Sequence, residues 1–560
     1  MKLLPATLLA LASKASTQNV VHFNISRALP GVHVGPVPSL ARRQTYTQEL
    51  INSVSGGGYY VQVEVGTPGQ KQHLLLDTGS SDAWLLAHDA SLCTSVDLQN
   101  LYGVSCTDTY NPDKSSTSKM VEPDGFKVTY LDGGTASGDY ISDDFAIGGT
   151  TVKSLQMAYV TKAVRGTGIL GLGFSSNERA HNKYPNLLDE IFNQGRIGSK
   201  TYSLYLNDRR DDGGSILFGG VDTDKFIGPL HILPIYKPPG GNYSSFEVNF
   251  TSLALTYTNG TSLTVPTSIL DDDSPAVLDS GTTLSYLPDK IAQQIFSSFN
   301  TAYDLDLRMT LVDCGHLQSE PLLHLTFSFA PPSASPSPTT PTAAIRVPII
   351  ELILDILPPS YPAPPTFSLS KKACVFGIQS TSIFTNPSPI LTDPSSSSSS
   401  TSSPRPSAAA TQTPKKPKSK VTGTFALLGN TFLRSAYVVY DLSHYQIGLA
   451  QANLNSTTSR IVELKADGGD GPGGTRSGGT TATTGLPSLT GVAAQQTTYT
   501  PVPTATGTVG ALGGSGIAPA GNEENAGSSM TRRLWSVWEG LGVVGVAGMV
   551  AVLGGVVVAL

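Results

Sequence analysis

The chain has 560 residues, enough for two to four domains, and only 14% of them are charged. Its formal net charge of −6 argues against a nucleic-acid partner, because such a protein would carry a basic stripe. The nine histidines form no HExxH motif and no paired-histidine cluster, so we expect neither a metal site nor any other cofactor.

The N-terminus is typical of a secreted protein. In MKLLPATLLALASKAS one lysine precedes an apolar run that is too short to span a bilayer. We therefore predict that residues 1–15 are a signal peptide. The dibasic pair Arg42 and Arg43 predicts a pro-segment, residues 16–43, that is cut after Arg43. The alternative is that both arginines are simply solvated.

A carboxylate ends an apolar segment in HLLLDTGSSDAW, His73 to Trp84. Three leucines lead into Asp77, and burying an unpaired charge is costly. Asp77 is therefore either a structural group that neighbours satisfy or a group whose ionisation is tuned for chemistry. A partner carboxylate elsewhere in the chain would favour the second interpretation.

Four cysteines in a secreted chain favour two disulfides. Three pairings can be drawn. We favour the two that close a loop inside one half of the chain, Cys93–Cys106 and Cys314–Cys374.

Glycosylation sequons predict an exposed face of the protein. They occur at Asn24, Asn242, Asn249, Asn259 and Asn455. The first would be lost with the pro-segment.

Between about residues 47 and 454 the sequence is typical of a mostly β protein. Segments such as YYVQVEV, KVTYL, LHLTFSF and YVVYDL are rich in β-branched and aromatic residues and are separated by turn-forming clusters. Helical patterns are few: NLLDEIFNQG from Asn186 and PDKIAQQIFSSFNTAY from Pro288. The stretch GTGILG, Gly166 to Gly171, fits a dinucleotide-binding pattern, but no helix is predicted to open in it, which argues against that function.

The motif around Asp77 recurs in the second half of the chain. In PAVLDSGTTLSYLP an apolar run again leads into an aspartate, Asp279, followed by a hydroxyl residue and a glycine. Two carboxylates held close together cannot both ionise, so they share one proton. The ionised member can take a proton from water while the protonated member donates to a carbonyl oxygen. The pair therefore predicts acid–base chemistry.

The residues that follow each aspartate are suited to supporting it. Glycine lets the backbone approach closely and turn sharply beside a carboxylate. The first hydroxyl of each motif can brace the opposite lobe, and the second can donate to the outer carboxylate oxygen. These supporting residues are Thr78, Gly79, Ser80, Ser280, Gly281 and Thr282.

Three segments have compositions that cannot bury a core. Residues 330–342 and 395–420 are rich in Ser, Thr and Pro, and we predict that both are surface insertions without fixed structure. Residues 456–529 are rich in Gly, Thr and Ala and are interpreted as a flexible stalk.

The C-terminal stretch Leu541 to Leu560 is uncharged, apolar and long enough to span a bilayer. A polar spacer and small residues precede it, which is typical of a GPI signal. We predict that residues 530–560 are a removed tail and that Asn525 is the attachment residue. A true transmembrane span is the alternative.

The paired motifs resemble those of the pepsin-like aspartic proteases, and the whole layout is similar to that of the fungal GPI-anchored yapsin group. DTGSSDAW ends in Trp84, which matches the tryptophan that supports the flap of these enzymes, and VTYLDGGTASG matches the flap hairpin. GILGLG, from Gly168, and ALLGNTFLRSAYVVYDL, from Ala426, match the two elements that pass behind the aspartates.

The resemblance implies a mostly β, bilobal fold with a cleft between an N-terminal lobe, residues 44–235, and a C-terminal lobe, residues 236–455. It implies a monomeric endopeptidase that acts on extended polypeptides at acidic pH. Asp77 and Asp279 would activate one water, and the residues implied at the flap are Tyr130, Asp132, Gly133 and Trp84. It also implies attachment to the outer leaflet of the plasma membrane or to the cell wall.

Several positions depart from the family pattern. Leu131 stands where glycine is usual after the flap tyrosine, and Gly134 stands where Ser or Thr is common, so we expect altered hydrogen bonding in the flap. Asn430 stands where aspartate is usual, behind the active site, and we expect a small shift of the pH optimum. The yapsin likeness suggests basic residues at the cut, but the loops leave specificity open.

Acidic runs at 211–212 and 271–273 are interpreted as solvated loops, with attraction of basic substrates as the alternative. Two other classes of protein share part of the pattern. An adhesion protein that has lost catalysis would not need both aspartates and their glycines intact. A cell-wall glycosidase also uses two carboxylates, but it does not need twin D-[ST]-G turns.

Overall fold

The computed structural model describes residues 20–27, 58–465 with internal gaps, and 485–493. The gaps are 103, 107, 210–212, 238–239, 258, 267–274, 319–322, 332–341, 359 and 386–424. Several predicted features lie outside the described residues. They are the signal peptide, the Arg42–Arg43 site, most of the insertion 330–342, the insertion 395–420, both acidic runs, and the anchor with Asn525.

The first half of the described chain is almost entirely β. Its strands are β1 (Val21–Arg27), β2 (Tyr59–Val65), β3 (Gln70–Asp77), β4 (Ala83–Leu86), β5 (Lys119–Thr129), β6 (Thr135–Ile147), β7 (Thr150–Ala163), β8 (Gly168–Gly171), β9 (Thr201–Tyr205), β10 (Gly213–Phe218), β11 (Gly220–Asp222) and β12 (Phe226–Pro234).

The second half has shorter strands. They are β13 (Glu247–Thr256), β14 (Ser262–Pro266), β15 (Pro275–Leu278), β16 (Ser285–Leu287), β17 (Ala302–Asp304), β18 (Met309–Asp313), β19 (His324–Phe329), β20 (Ala343–Pro348), β21 (Ile353–Leu354), β22 (Ala373–Phe376), β23 (Ile378–Ser380), β24 (Ala426–Leu428), β25 (Ala436–Asp441), β26 (Gln446–Ala452) and β27 (Ile461–Glu463).

The α-helices are short. They are α1 (Ser91–Thr94), α2 (Val96–Tyr102), α3 (Leu187–Asn193), α4 (Asp289–Ser298) and α5 (Asn430–Leu433). Both helices expected from the sequence are present, and α3 begins after a capping box made by Asn186 and Asp189. The second expected helix is shorter than its pattern, because the chain enters β17 after Ser298. Among the described residues, no helix is long and apolar enough to cross a membrane.

One long sheet connects the two halves of the chain. Its order is β12-β26-β25-β9-β10-β1-β2-β3-β8-β4-β7-β6-β5, and β2 also pairs with β6. β25 and β26 lie in the predicted C-terminal lobe, yet they pair with β9 and β12 of the first half. Every residue of β25 is buried, and Tyr440 stacks on Tyr202 of β9 at 4.7 Å between ring centroids. β25 is buried on both faces in this sheet, so β25 and β26 belong to the connecting sheet rather than to the sheets of the C-terminal lobe.

The described part of the C-terminal lobe has two further sheets. The larger has the order β20-β19-β13-β15-β24-β16-β23, with β14 paired to β13, and the smaller has the order β17-β18-β22-β21. The disulfide Cys314–Cys374 fastens the end of β18 to β22, and Cys93–Cys106 fastens α1 to the segment after α2. Both predicted pairings are thus present.

Strand β1 falls in the segment predicted to be a pro-segment, yet it lies inside the connecting sheet. Residues Val21 to Ser26 pair antiparallel with β10, and Ser26 and Arg27 pair with β2. Part of the predicted pro-segment therefore forms a strand of the connecting sheet, between β10 and β2.

Part of the predicted stalk is docked on the body. Residues Ile461–Glu463 form β27, which pairs with β11, and residues 485–493 lie along β12. The amides of Gly228 and Leu230 in β12 donate to the carbonyls of Val492 and Leu489, at 3.0 and 2.9 Å. The stalk predicted over residues 456–529 is therefore not a uniform free linker, because apolar residues in it find partners on β12.

We call residues 485–493 the docked segment. Leu486 and Leu489 pack against a cluster that includes Phe226 and Leu230. A Cβ on Gly491 would lie 2.2 Å from the carbonyl oxygen of Phe226, so only glycine fits at this point of closest approach.

We predict that Gly491→Val displaces the docked segment. Hydrogen exchange at the Gly228 and Leu230 amides should become at least about tenfold faster, because these amides lose their acceptors. Ser488→Val, which places the same side chain at an exposed position of the docked segment, is the control and should leave both rates unchanged. Equal exchange in the two variants would contradict the prediction.

Candidate active site

Asp77 is the last residue of β3, a central strand of the connecting sheet. β3 pairs antiparallel with β2 on one side and parallel with β8 on the other. Because neighbouring strands enclose it, its final residues Leu74 to Asp77 are all buried, which explains the leucines before the aspartate. The Asp77 side chain is fully buried where the strand ends.

Asp279 occupies the same position in the C-terminal lobe. It follows β15, which pairs antiparallel with β13 and parallel with β24, and its side chain is also fully buried. The GILGLG and ALLGN segments supply the two parallel partners β8 and β24. The GTGILG stretch therefore contributes a sheet strand, and no helix begins in it. A dinucleotide-binding turn would require a helix at that point.

Each carboxylate is held by the same pair of local donors. The amide of Gly79 donates to Asp77 Oδ1 at 2.8 Å, and the Ser80 hydroxyl donates to Asp77 Oδ2. In the other lobe the amide of Gly281 donates to Asp279 Oδ1 at 2.8 Å, and the hydroxyl of Thr282 donates to Asp279 Oδ2. The second and third residues after each aspartate thus fix its orientation.

The hydroxyls directly after the aspartates cross between the lobes. The Thr78 hydroxyl donates to the carbonyl of Leu278 at 2.8 Å and accepts from the amide of Ser280 at 3.0 Å. Reciprocally, the Ser280 hydroxyl donates to the carbonyl of Leu76 at 2.8 Å and accepts from the amide of Thr78 at 3.1 Å. These four buried hydrogen bonds join the two lobes beneath the carboxylates.

The two carboxyl groups are brought together. The Asp279 carboxyl group lies against the turn that follows Asp77, since a Cβ built on Gly79 would lie 2.7 Å from Cγ of Asp279. The two carboxyl groups are close enough for each to affect the pKa of the other. Burial raises the pKa of Asp77 well above its ordinary value, and the negative charge of Asp279 raises it further. Burial likewise raises the pKa of Asp279, against hydrogen bonds that stabilise its anion. The pair therefore holds one proton between two oxygens.

This contact also separates the site from that of a glycosidase. Glycosidase carboxyl groups stand about 5 Å or more apart, to leave room for the sugar and for a water or a covalent bond. Here the Asp279 carboxyl group lies directly against the turn that follows Asp77, which leaves no such gap.

The flap is the turn between β5 and β6. Within it the amide of Tyr130 donates to the carbonyl of Gly134 at 2.8 Å, and the amide of Gly133 donates back to the carbonyl of Tyr130 at 2.9 Å. The Asp132 carboxylate accepts from the Gly134 amide at 2.8 Å. The turn is thus well hydrogen-bonded despite its departures from the family pattern.

The flap tyrosine is anchored from below. Trp84 Nε1 donates to the hydroxyl of Tyr130 at 2.9 Å, and both side chains are buried. Burial raises the pKa of the Tyr130 phenol, and the charge of Asp77 adds to this, so the hydroxyl stays protonated.

Sequence reasoning did not identify Arg165, which holds the flap from the β7–β8 loop. Its guanidinium pairs with the Asp132 carboxylate, and its Cζ lies 5.4 Å from the centroid of the Tyr130 ring. The sequence offered no signal, because an isolated arginine in a loop predicts only a solvated charge.

A second set of buried acids behind Asp77 was also not predicted. Asp82 accepts hydrogen bonds from the hydroxyls of Tyr140 and Tyr184, at 2.7 and 2.9 Å, and from the Arg179 amide. Glu178 is only 2% exposed, and burial raises its pKa to about 9. The one available signal was a second aspartate at the end of DTGSSD, in an otherwise apolar stretch.

The remaining predicted positions fall as follows. Asn430 is fully buried and its side-chain amide donates to the carbonyl of Ser280 at 3.1 Å, so it lies behind the active site. Asn249 in β13 is half-buried. The other sequon asparagines of the two lobes are all exposed, and they are Asn242, Asn259 and Asn455.

Comparison with known proteins decides the family. The profile of the eukaryotic aspartyl proteases matches residues 58–346 and 368–452, more than half of the chain. The chain belongs to this family. It is 35% identical over 436 residues to the probable aspartic-type endopeptidase opsB of Aspergillus fumigatus, with 76% of this chain and 74% of that protein covered.

Two further relatives agree. A probable aspartic-type endopeptidase OPSB of Trichophyton verrucosum is 32% identical over 494 residues, covering 86% of this chain and 87% of that protein. The secreted aspartic protease 3 of Candida albicans is 31% identical over 426 residues, covering 76% and 86%. The pepsin-like resemblance and the mostly β bilobal fold are thus confirmed, and the protein is an aspartic-type endopeptidase that acts on peptide substrates.

We predict that Glu178 makes this protease less stable as the pH rises. Its folded-state pKa of about 9 lies above the ordinary value of 4.5, so the native state retains a proton that the unfolded chain releases between those values. Stability should be fullest below pH 4.5 and should fall toward pH 9, by at most ~1.4 kcal/mol per pH unit from this group.

Thermal unfolding between about pH 4 and pH 8 measures the effect. Glu178→Gln should flatten the dependence, because a neutral amide replaces the buried acid and can still accept from the Tyr184 amide, which donates to Glu178 at 2.9 Å. Glu64→Gln, at an exposed glutamate of the same lobe, should leave the slope as in the wild type. An unaltered slope in Glu178→Gln would show that other groups control it.

Proposed function

We propose that Asp77 and Asp279 together activate one water for direct attack on a peptide bond. The observation that carries the proposal is the pair of buried carboxyl groups brought together from the two lobes, in which each member is oriented by matching donors. The ionised member removes a proton from water as general base, and the protonated member donates to the scissile carbonyl oxygen as general acid. The two roles are exchanged as the intermediate collapses, and the protein itself forms no covalent bond to the substrate.

The shared proton sets the pH range. Activity requires one ionised and one protonated carboxyl group, so the rate falls when both are protonated at low pH and when both are ionised at higher pH. Carboxyl groups ordinarily titrate near about pH 4, and burial raises the pKa of both groups, which moves both limbs of the pH profile upward from that acidic range. An acidic optimum follows, and Asn430 beneath Ser280 is a position from which that optimum can be adjusted.

The flap completes the site by covering the substrate. Tyr130, Asp132 and Gly133 form the turn that faces the cleft, with Trp84 supporting the tyrosine. A polypeptide substrate would lie extended between this turn and the carboxyl pair, because a cleft between two lobes admits several residues of an extended chain. Such a cleft suits cleavage within a chain rather than trimming of chain ends. We also propose that the enzyme acts as a monomer, because one chain supplies both carboxyl groups.

We also propose that the enzyme is made as a secreted zymogen and is attached to the cell surface by a GPI anchor at Asn525. The signal-like N-terminus, the Arg42–Arg43 pair and the apolar tail support this, as does the secreted relative. Cutting after Arg43 would remove β1 from between β10 and β2, so activation would be coupled to rearrangement of the connecting sheet. N-glycans on the sequons of the two lobes would suit the same route.

We predict that Asp77→Asn abolishes peptide cleavage by the matured protein at acidic pH. The amide cannot share a proton with Asp279. Its oxygen can still accept from the Gly79 amide, and its NH2 group can donate to the Ser80 hydroxyl oxygen in place of the bond that Ser80 donates to the carboxylate, so the fold should remain. Rates measured on a peptide library, with thermal unfolding as the check on folding, test this. Asp89→Asn, at an exposed aspartate of the same lobe, is the control. Retained cleavage in Asp77→Asn would refute the assigned role.

The same assay separates the alternatives. Wild-type cleavage should be blocked by a statine-type inhibitor, which mimics the tetrahedral intermediate. Sugar release without peptide cleavage would favour a glycosidase, and no turnover at all would favour an adhesion protein.

We predict that phosphatidylinositol-specific phospholipase C releases the enzyme from intact cells. Hydrolysis of the anchor lipid frees a GPI-linked protein but leaves a transmembrane protein in place. Immunodetection of the catalytic body in the supernatant is the measurement. A chain lacking residues 541–560 should appear in the medium without treatment, and retention of the full chain after phospholipase treatment would favour a true span.

A further inference from the structure

The tip of the flap reaches across to the C-terminal lobe. Leu131 is only 9% exposed, although a side chain at the tip of a hairpin turn ordinarily faces solvent. It belongs to an apolar cluster whose other buried members among the described residues all lie between Val277 and Leu427. The flap is a part of the N-terminal lobe, so this one side chain bridges the two walls of the cleft.

Strand register shows which members of this cluster lie nearest the carboxyl pair. Val277 lies two residues before Asp279 in β15, and it stands opposite Leu427 of β24. Leu427 in turn stands opposite Tyr286 of β16, the strand that continues from the catalytic turn. The cluster therefore extends to the sheet that carries Asp279, where a bound peptide must pass.

An electrostatic effect places the flap against the same lobe. Burial raises the pKa of the Tyr286 phenol, and the negative charge of Asp132 raises it further. Because such an effect requires the two groups to be near each other, the residue after Leu131 also faces the C-terminal lobe.

The N-terminal lobe holds the turn in this position. Arg165 pairs with Asp132 and lies over the ring of Tyr130, whose hydroxyl accepts from Trp84. Leu131 is therefore presented by a turn that is already ordered, and little conformational entropy is lost when it docks.

From this arrangement we propose that Leu131 plugs the free cleft by occupying an apolar site of the C-terminal lobe that otherwise takes an apolar side chain of the substrate. The proposal rests on the proposed function, because it assumes that peptides bind between flap and carboxyl pair. A bulky apolar side chain replaces the contacts that Leu131 gives up, whereas glycine or a charged side chain does not.

A binding experiment tests the plug without requiring catalysis. The matured protein carrying Asp77→Asn binds peptides but does not cut them. Trp535→Phe with Trp538→Phe leaves Trp84 as the remaining one of three tryptophans even where the C-terminal tail is retained. Trp84 donates to the flap tyrosine, so its quenching by acrylamide reports whether the flap is closed. Dissociation constants are measured for two peptides that differ only in leucine or glycine beside the scissile bond.

In this background Leu131→Ala should raise the quenching of Trp84 and tighten the binding of both peptides by about three- to tenfold, because the closed state no longer competes. The leucine peptide should remain the tighter ligand. Leu131→Gly, the residue usual in the family, should behave as Leu131→Ala does, and Leu131→Met should bind as the parent does. Leu305→Ala, at a turn residue that is 82% exposed, is the control for loss of an apolar side chain.

Unchanged or weaker binding in both Leu131→Ala and Leu131→Gly would overturn the proposal, and so would equal affinity for the two peptides. Neither result depends on which residues cut the peptide bond. Conversely, if Asp77→Asn still cleaves peptides, the proposed catalytic roles fail while the quenching measurement still decides whether Leu131 closes the cleft.

Discussion

The structure depends on a single proton held between two buried carboxyl groups from opposite lobes. Neither Asp77 nor Asp279 could be buried as an isolated anion without a large cost, so each requires the other and its own set of donors. The four hydrogen bonds of Thr78 and Ser280 beneath them keep the lobes in register, which in turn keeps the carboxyl groups in contact. The cleft, the flap and the connecting sheet are all arranged around that contact.

Each lobe positions its buried aspartate with the same sequence pattern. An apolar strand delivers the aspartate, a hydroxyl residue and a glycine follow, and a second strand passes beside it, β8 in one lobe and β24 in the other. The environments are not identical, because Asp77 has the flap tyrosine nearby, whereas Asn430 lies beneath the turn of Asp279. Such differences allow two equivalent acids to titrate as an unequal pair.

The sequence predicted what depends on local pattern and failed where distant segments meet. The buried aspartates, both disulfides, α3 and α4 could be predicted because apolar runs, cysteine spacing and capping residues are local signals. The exchange of β25 and β26 into the connecting sheet could not, since strand pairing partners are not encoded in a strand's own residues. Arg165 and Glu178 were missed for the same reason: their roles come from neighbours that the chain brings in from elsewhere.

The docked segment has a practical consequence for recombinant work. β12 is the last strand of the connecting sheet, and residues 485–493 cover its open side. A chain shortened at residue 465 would leave β12 as an exposed edge strand, with Phe226 and Leu230 beside unpaired backbone groups. Exposed edge strands of this kind can pair with strands of other molecules and cause aggregation. A recombinant chain that ends after residue 493 would keep this edge of β12 covered, which favours a protein that stays soluble when it is concentrated.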